Sequence, residues 1–152
     1  MENTISYFLK ADGLDGEVKI PGVPGLAGAV ELLFFNTVRS KEHGAGGVPG
    51  TSRRQYLHYE GIFEVTPSKS LHEITDHLSR GTVFSQLRVY VVNRVGVAGF
   101  GHTVMYSFEN SLFVSMRMSK GDNSSDIRFA VAFKFDDMKI GHGLMSDLLT
   151  SK

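Results

Sequence analysis

The 152-residue sequence contains no cysteine. That absence removes disulfide frameworks, thiolate zinc sites, iron–sulfur clusters and cysteine nucleophiles together. Charge of either sign is not in excess, since 16 Lys and Arg balance 16 Asp and Glu. A balanced chain has neither the phosphate attraction that drives nucleic-acid binding nor a polybasic pull towards anionic lipid, so both are excluded as expected partners. No window reaches the roughly 18–20 apolar residues needed to cross a bilayer. The N-terminal "MENTISYFLKADG" carries acidic Glu2 and no basic region ahead of an apolar run. No secretory signal peptide is expected, and the chain should fold in the cytoplasm, with any export taking another route.

What is present favours β structure. There are 17 glycines, 11 Phe and 5 Tyr, with no Trp, a composition suited to pleated segments joined by tight turns. The length fits one domain, 1–152, able to bury roughly 70% of its unfolded surface.

Period-2 alternation is clearest in "DIRFAVAFKFDD", where Ile127, Phe129, Val131, Phe133 and Phe135 share one face and Arg128, Ala130, Ala132 and Lys134 the other. In "SLFVSMRMS" the same rule puts Leu112, Val114, Met116 and Met118 together, and "GDNSS" between the two segments reads as a hairpin turn. Earlier strands are expected at 5–10, 30–39, 54–66, 83–95 and 103–109. "AVELLFFNTV" is apolar on both faces and is expected at the centre. "TPSKSLHEITDHLSRG" predicts one helix, with Thr66 as cap, Pro67 in the first turn, a stripe of Leu71, Ile74 and Leu78, and Gly81 as the stop. "SKEHGAGGVPGTS", Ser40 to Ser52, is too long for a hairpin turn, and loops of this length are functional or disordered. Residues 141–152 read as a mobile tail.

No catalytic, cofactor or metal site is expected. His72 and His77 are five residues apart, about 140° around a helix, where a shared ion needs a spacing of four, so both read as solvated surface residues. "HGAGGVPGTS" lacks the lysine of a phosphate loop, and "GVAGFGHT" joins two strands and opens no helix. There is no G-x-S-x-G elbow, and the pairs Asp136/Asp137 and Asp12/Asp15 sit in turn or strand-end contexts where solvation keeps them ordinary. A β-rich chain with many strand edges and no site points to assembly, because pairing with another copy covers an edge.

The order of segments then carries a resemblance. "YFLKADGLDGEV" resembles the start of the Hcp family, the tube proteins of type VI secretion systems, where a strand with a lysine runs into a D-G-I/L-x-G-E corner. "AVELLFFNTV" resembles the family's second strand, and "TSRRQYLHYEGIFEVTPSKSL" its run of small and basic residues followed by a strand and a helix. "TVFSQLRVYVVNR" resembles the next strand, and "TVMYSFENSLFVSMRMS" with "DIRFAVAFKF" the closing hairpin. The match covers about residues 4–140. It departs in having no tryptophan in the second strand and in the Pro-Gly stretch from Pro21 to Gly25.

The resemblance implies a mainly β fold, two packed antiparallel sheets forming a small barrel with one flanking helix. It implies six copies closed into a ring and rings stacked into a hollow tube. Further partners would be a contractile sheath, a spike protein at the tip and small effectors in the lumen, with the tube assembled in the bacterial cytoplasm and secreted without a signal peptide. On this reading Lys41, Glu42, His43, Gly44, Gly46, Gly47 and Arg53 of the Gly-rich loop 40–53, with the adjoining Arg54, are the expected ring-stacking or subunit contacts. Asp12, Gly13, Asp15 and Gly16 form a structural turn, with the carboxylates bonding backbone amides and the glycines at positive φ. Three alternatives stand beside it: a phage-type or extracellular injection-system tail tube subunit, a lipocalin-like carrier with an apolar cavity, and an enzyme with a pocket of perturbed groups.

Overall fold

A computed structural model describes residues 3–19, 24–42, 56–95, 99–120 and 127–150. Its elements run β1 (Asn3–Ala11), a single 3-10 turn (Pro24–Leu26), β2 (Val30–Leu32), β3 (Phe34–Glu42), β4 (Tyr56–Val65), α1 (Lys69–Arg80), β5 (Phe84–Val95), β6 (Gly99–Lys120), β7 (Ile127–Lys134), β8 (Asp137–Gly143) and α2 (Met145–Thr150).

The 22-residue β6 organises all of them. Its first half pairs with β5 on one side and β8 on the other, and its second half pairs with β7. All pairings are antiparallel, and the order is β2-β1-β5-β6-β7-β4-β3 with β8 beside β6.

The expected pair of separate sheets closed into a small barrel is therefore corrected to one eight-stranded sheet that does not close. The reason lies at two places. A strand as long as β6 belongs to both halves and joins them, while at Leu33 the chain changes partner. There β2 ends on β1 and β3 begins on β4, with the Leu33 N–H donating to the Glu64 carbonyl at 2.8 Å. No rung links β2 to β3.

The two halves fold face to face. Leu9, Leu87, Val89 and Phe108 from one meet Phe35, Phe63, Val131 and Phe133 from the other in one buried cluster. Its centre is aromatic: Phe108 stands 5.1 Å from Phe133 and 4.6 Å from Phe135, and Phe63 lies 5.7 Å from Phe113, centroid to centroid. The space between the halves is filled with side chains, as in the interior of small β folds.

α1 covers one border of this core with the buried Ile74 and the partly buried Leu71 and Leu78, the stripe that the periodicity predicts. It begins later than expected, with Ser68 as N-cap, and ends on Gly81 in the left-handed region at φ 65°. A second, six-residue helix was outside the expectation. Periodicity cannot announce one so short. α2 buries Met145 and Leu148 with Phe8, Leu26, Tyr90 and Val92 on the outer face of the first half. Residues 141–150, read from the sequence as tail, thus belong to β8 and α2.

The alternation expected for Leu112, Val114, Met116 and Met118 also breaks. A register shift between Phe113 and Ser115 turns Phe113 into the core at 3% exposure and leaves Val114 outside at 41%.

Candidate assembly surface

The corner Asp12–Glu17 is held by α1 in four places. Glu17 Oε1 accepts from the Lys69 N–H at 2.7 Å, so a residue 52 positions away caps the helix in place of Ser68, whose side chain makes no cap bond. Glu73 accepts the Asp15 N–H at 3.2 Å. His77 Nε2 meets the Gly13 carbonyl at 2.7 Å while Nδ1 meets Thr82 Oγ1 at 3.0 Å, which fixes the neutral ring as the Nε2–H tautomer with Thr82 donating to Nδ1. The Lys69 ammonium stands 3.9 Å from Asp15, both largely exposed.

His77, expected to be solvated, is therefore a half-buried latch that also packs edge-on to Phe84 at 5.0 Å; His72 is exposed. Gly13 has the expected positive φ, +93°. Gly16 differs. Its requirement is close approach, since its N–H donates to the Gly28 carbonyl at 2.6 Å and a Cβ there would run into the Ala29 carbonyl.

The two halves of the sheet are covered unequally. On the first, α2 and the 3-10 turn bury the outer face. On the second, no described element lies over the face opposite the core. Asn36, Ile62, Ala132 and Ser115 form one cross-strand row there, and Phe34, Glu64, Ala130 and Arg117 the next.

These rows set the small Ala130, Ala132 and Ser115 among the larger Phe34, Ile62 and Arg117. The face carries a shallow hollow of about 400 Å³ lined by Asn36, Ile62, Val114, Ser115 and Ala132. Phe34 and Val114 are 40% and 41% exposed beside it. At its border Arg128 pairs with Glu64 at 3.5 Å, both half-buried.

Two strand edges adjoin the same region. Among the described residues β3 pairs only with β4 and β8 only with β6, and the two come together where Thr37 Oγ1 lies 3.9 Å from Met138 Sδ. An uncovered sheet face with exposed apolar side chains and unpaired strand edges suit another protein surface.

The sequence-predicted contacts fall at the end of this edge or beyond the described residues. Lys41 and Glu42 close β3, opposite Leu57 and Tyr56. His43, Gly44, Gly46, Gly47, Arg53 and Arg54 lie outside the described residues.

Alternation alone already separates this side, with Ser115, Arg117, Ala130 and Ala132, from the core side, but it does not say which face acquires a cover.

Of the carboxylates weighed for chemistry, Asp136, just before β8, accepts from Asn110 Nδ2 at 3.1 Å, and Asp137, the first residue of β8, from the Met138 N–H at 2.9 Å. A larger hollow of about 450 Å³ beside the start of α1 sets Glu17 and Glu31 against Lys19 and Arg94. Among the described residues no three His, Asp or Glu side chains gather as a metal site, and no described helix is long and apolar enough to cross a membrane.

Neither a protein-family model nor a curated protein sequence matches the chain. Solved structures do resemble it. A type six secretion system protein superposes with a TM-score of 0.69 at 15% identity, over 90% of this chain and 83% of that one. Hcp1 from Salmonella typhimurium gives 0.64 at 17% identity, over 92% and 86%. The secreted protein Hcp3 from Pseudomonas aeruginosa gives 0.59 at 11% identity, over 92% and 97%. The fold is that of the Hcp proteins.

Proposed function

We propose that this chain, carrying the Hcp fold over about nine-tenths of its length, is the inner-tube subunit of a type VI secretion system. Six copies would close a ring, and rings would stack into a hollow tube, enclosed by a contractile sheath, tipped by a spike protein and able to carry small effectors. The observation that carries this reading is the agreement of that fold with a sheet face that no described element covers, bordered by strand edges unpaired among the described residues.

A sixfold ring needs a heterologous contact, in which one patch meets a different patch on the next copy and the rotation closes. The outer face of the β3-β4-β7-β6 half supplies one patch: Phe34 and Val114 for apolar contact, Arg117 and Asn36 for polar contact. The segment 40–54, with Lys41, Glu42, His43, Gly44, Gly46, Gly47, Arg53 and Arg54, is the proposed axial element that touches the next ring. Its glycines allow close backbone approach.

The role is structural, and the interior packing agrees with it. A carrier of small ligands needs an enclosed cavity, whereas the space between the sheet halves holds Phe63, Phe108 and Phe133, each 0% exposed. Tube formation in the cytoplasm followed by secretion completes the proposal.

Native mass spectrometry and negative-stain microscopy of the purified chain test it. A sixfold species seen as rings is the expected result, and deleting residues 43–50 should leave rings that no longer stack. A monomer at high protein concentration overturns the reading.

A further inference from the structure

We propose that His102 and His142 together bind a divalent transition-metal ion of the Zn²⁺, Ni²⁺ and Cu²⁺ class. His102 lies near the start of β6 and His142 near the end of β8. The ladder sets Val104 directly opposite His142, which makes His102 its diagonal neighbour on the same face of the sheet. The two ring centroids are 5.2 Å apart with the planes tilted by 43°. Two imidazoles sharing one tetrahedral ion, each nitrogen about 2.0–2.1 Å from the metal, place their centroids roughly 5 Å apart. The backbone has already brought the rings to that separation.

The surroundings leave the pair open. Both histidines are exposed; three of their four chain neighbours are Gly101, Gly141 and Gly143, and the fourth, Thr103, is buried. A Cβ added at Gly143 would meet nothing within 4 Å. No third His, Asp or Glu among the described residues joins them. The site is therefore of the two-imidazole kind, with water or an outside ligand at the remaining positions, unlike a closed structural zinc centre. Neutral imidazole donors select zinc, nickel and copper over magnesium and calcium, which take oxygen ligands. Because the ligands come from two strands and β8 is an edge strand, the ion would pin that edge to β6.

Isothermal titration of the untagged full-length chain with Ni²⁺ alone, and with Mg²⁺ as comparison, tests the site. Saturable Ni²⁺ binding that is lost in both His102→Ala and His142→Ala, and retained in His72→Ala, is the expected result. Without metal the two variants should melt as the parent does, since both side chains are exposed. With Ni²⁺ the midpoint should rise for the parent only, by mass action on the folded state. Two results overturn the proposal: absence of Ni²⁺ binding by the parent, or full Ni²⁺ binding by the double variant, which would place the ion on other histidines and leave the 5.2 Å pair as a ring contact only.

Discussion

Replacing Gly61 by alanine tests how tightly the sheet halves are packed. Gly61 lies in β4 between Thr37 and Phe133 in register. A Cβ there would fall 2.5 and 2.9 Å from Phe133 Cε1 and Cε2, and closer still to Cζ. In open space the change should stabilise a strand by roughly 0.5–1 kcal/mol, because alanine loses less backbone freedom on folding. Here the ring must move, and it has little room. Phe133 is 0% exposed, with Phe63, Phe108 and Phe135 at 6.0, 5.1 and 5.9 Å.

Overpacking of this kind costs about 1–3 kcal/mol, which outweighs the entropic gain. A net loss of about 1 kcal/mol is expected, read as a fall of roughly 0.5 M in the urea midpoint for a slope of about 2 kcal/mol/M. The thermal midpoint should drop by roughly 2–4 °C in a domain of this size. Parent and variant must be compared at one protomer concentration, since assembly shifts apparent stability. Adding Phe133→Leu to Gly61→Ala should make the double variant less destabilised than the sum of the singles, with a coupling of about 1 kcal/mol. An unchanged or raised midpoint for Gly61→Ala would refute the packing deduced for β4 and β7.

Three further outcomes are expected. His77→Ala should lower stability by about 0.5–1.5 kcal/mol through loss of the bonds to the Gly13 carbonyl and the Thr82 hydroxyl, whereas His72→Ala on the same helix should stay within about 0.5 kcal/mol, both measured by urea denaturation. Glu17→Ala should cost about 1 kcal/mol by removing the acceptor for the Lys69 N–H, and Glu17→Gln should recover part of it because the amide oxygen still accepts. Val114→Arg, at an exposed position beside the hollow, should change urea stability by less than about 0.5 kcal/mol. In native mass spectra the same variant should reduce the sixfold species; an unchanged ring fraction would remove this face from the proposed ring contact.

The Hcp fold and the latch around the first corner combine long-range parts. β1 is paired to β5 with partners 76 to 92 positions apart, from Ala11↔Leu87 to Asn3↔Val95, and the corner that follows it is held by Glu73 and His77. The sequence led to the expectation that the Asp12 and Asp15 carboxylates bond backbone amides in that corner; in the structure the Asp15 amide is bonded by Glu73 of the helix, and Glu17 of the corner caps that helix.

Local rules by themselves determined the β-rich class, the hairpin of β6 and β7, and the helix with its Ile74 stripe and Gly81 stop. Each depends on neighbours within a few positions, where propensity and alternation act directly. The chain's balanced charge and missing cysteines likewise narrowed the chemistry without any coordinates.

What only the tertiary structure decided involves distant partners or a choice between equal faces. The continuity of β6 through both halves, the change of partner at Leu33, the capping of α1 by Glu17 and the approach of His102 to His142 arise from residues far apart in sequence. The alternation of β7 showed two faces, but the core on one and the open surface on the other were set by where α2 and the 3-10 turn came to rest. A period-2 pattern distinguishes the sides of a strand and contains no term for what will cover them.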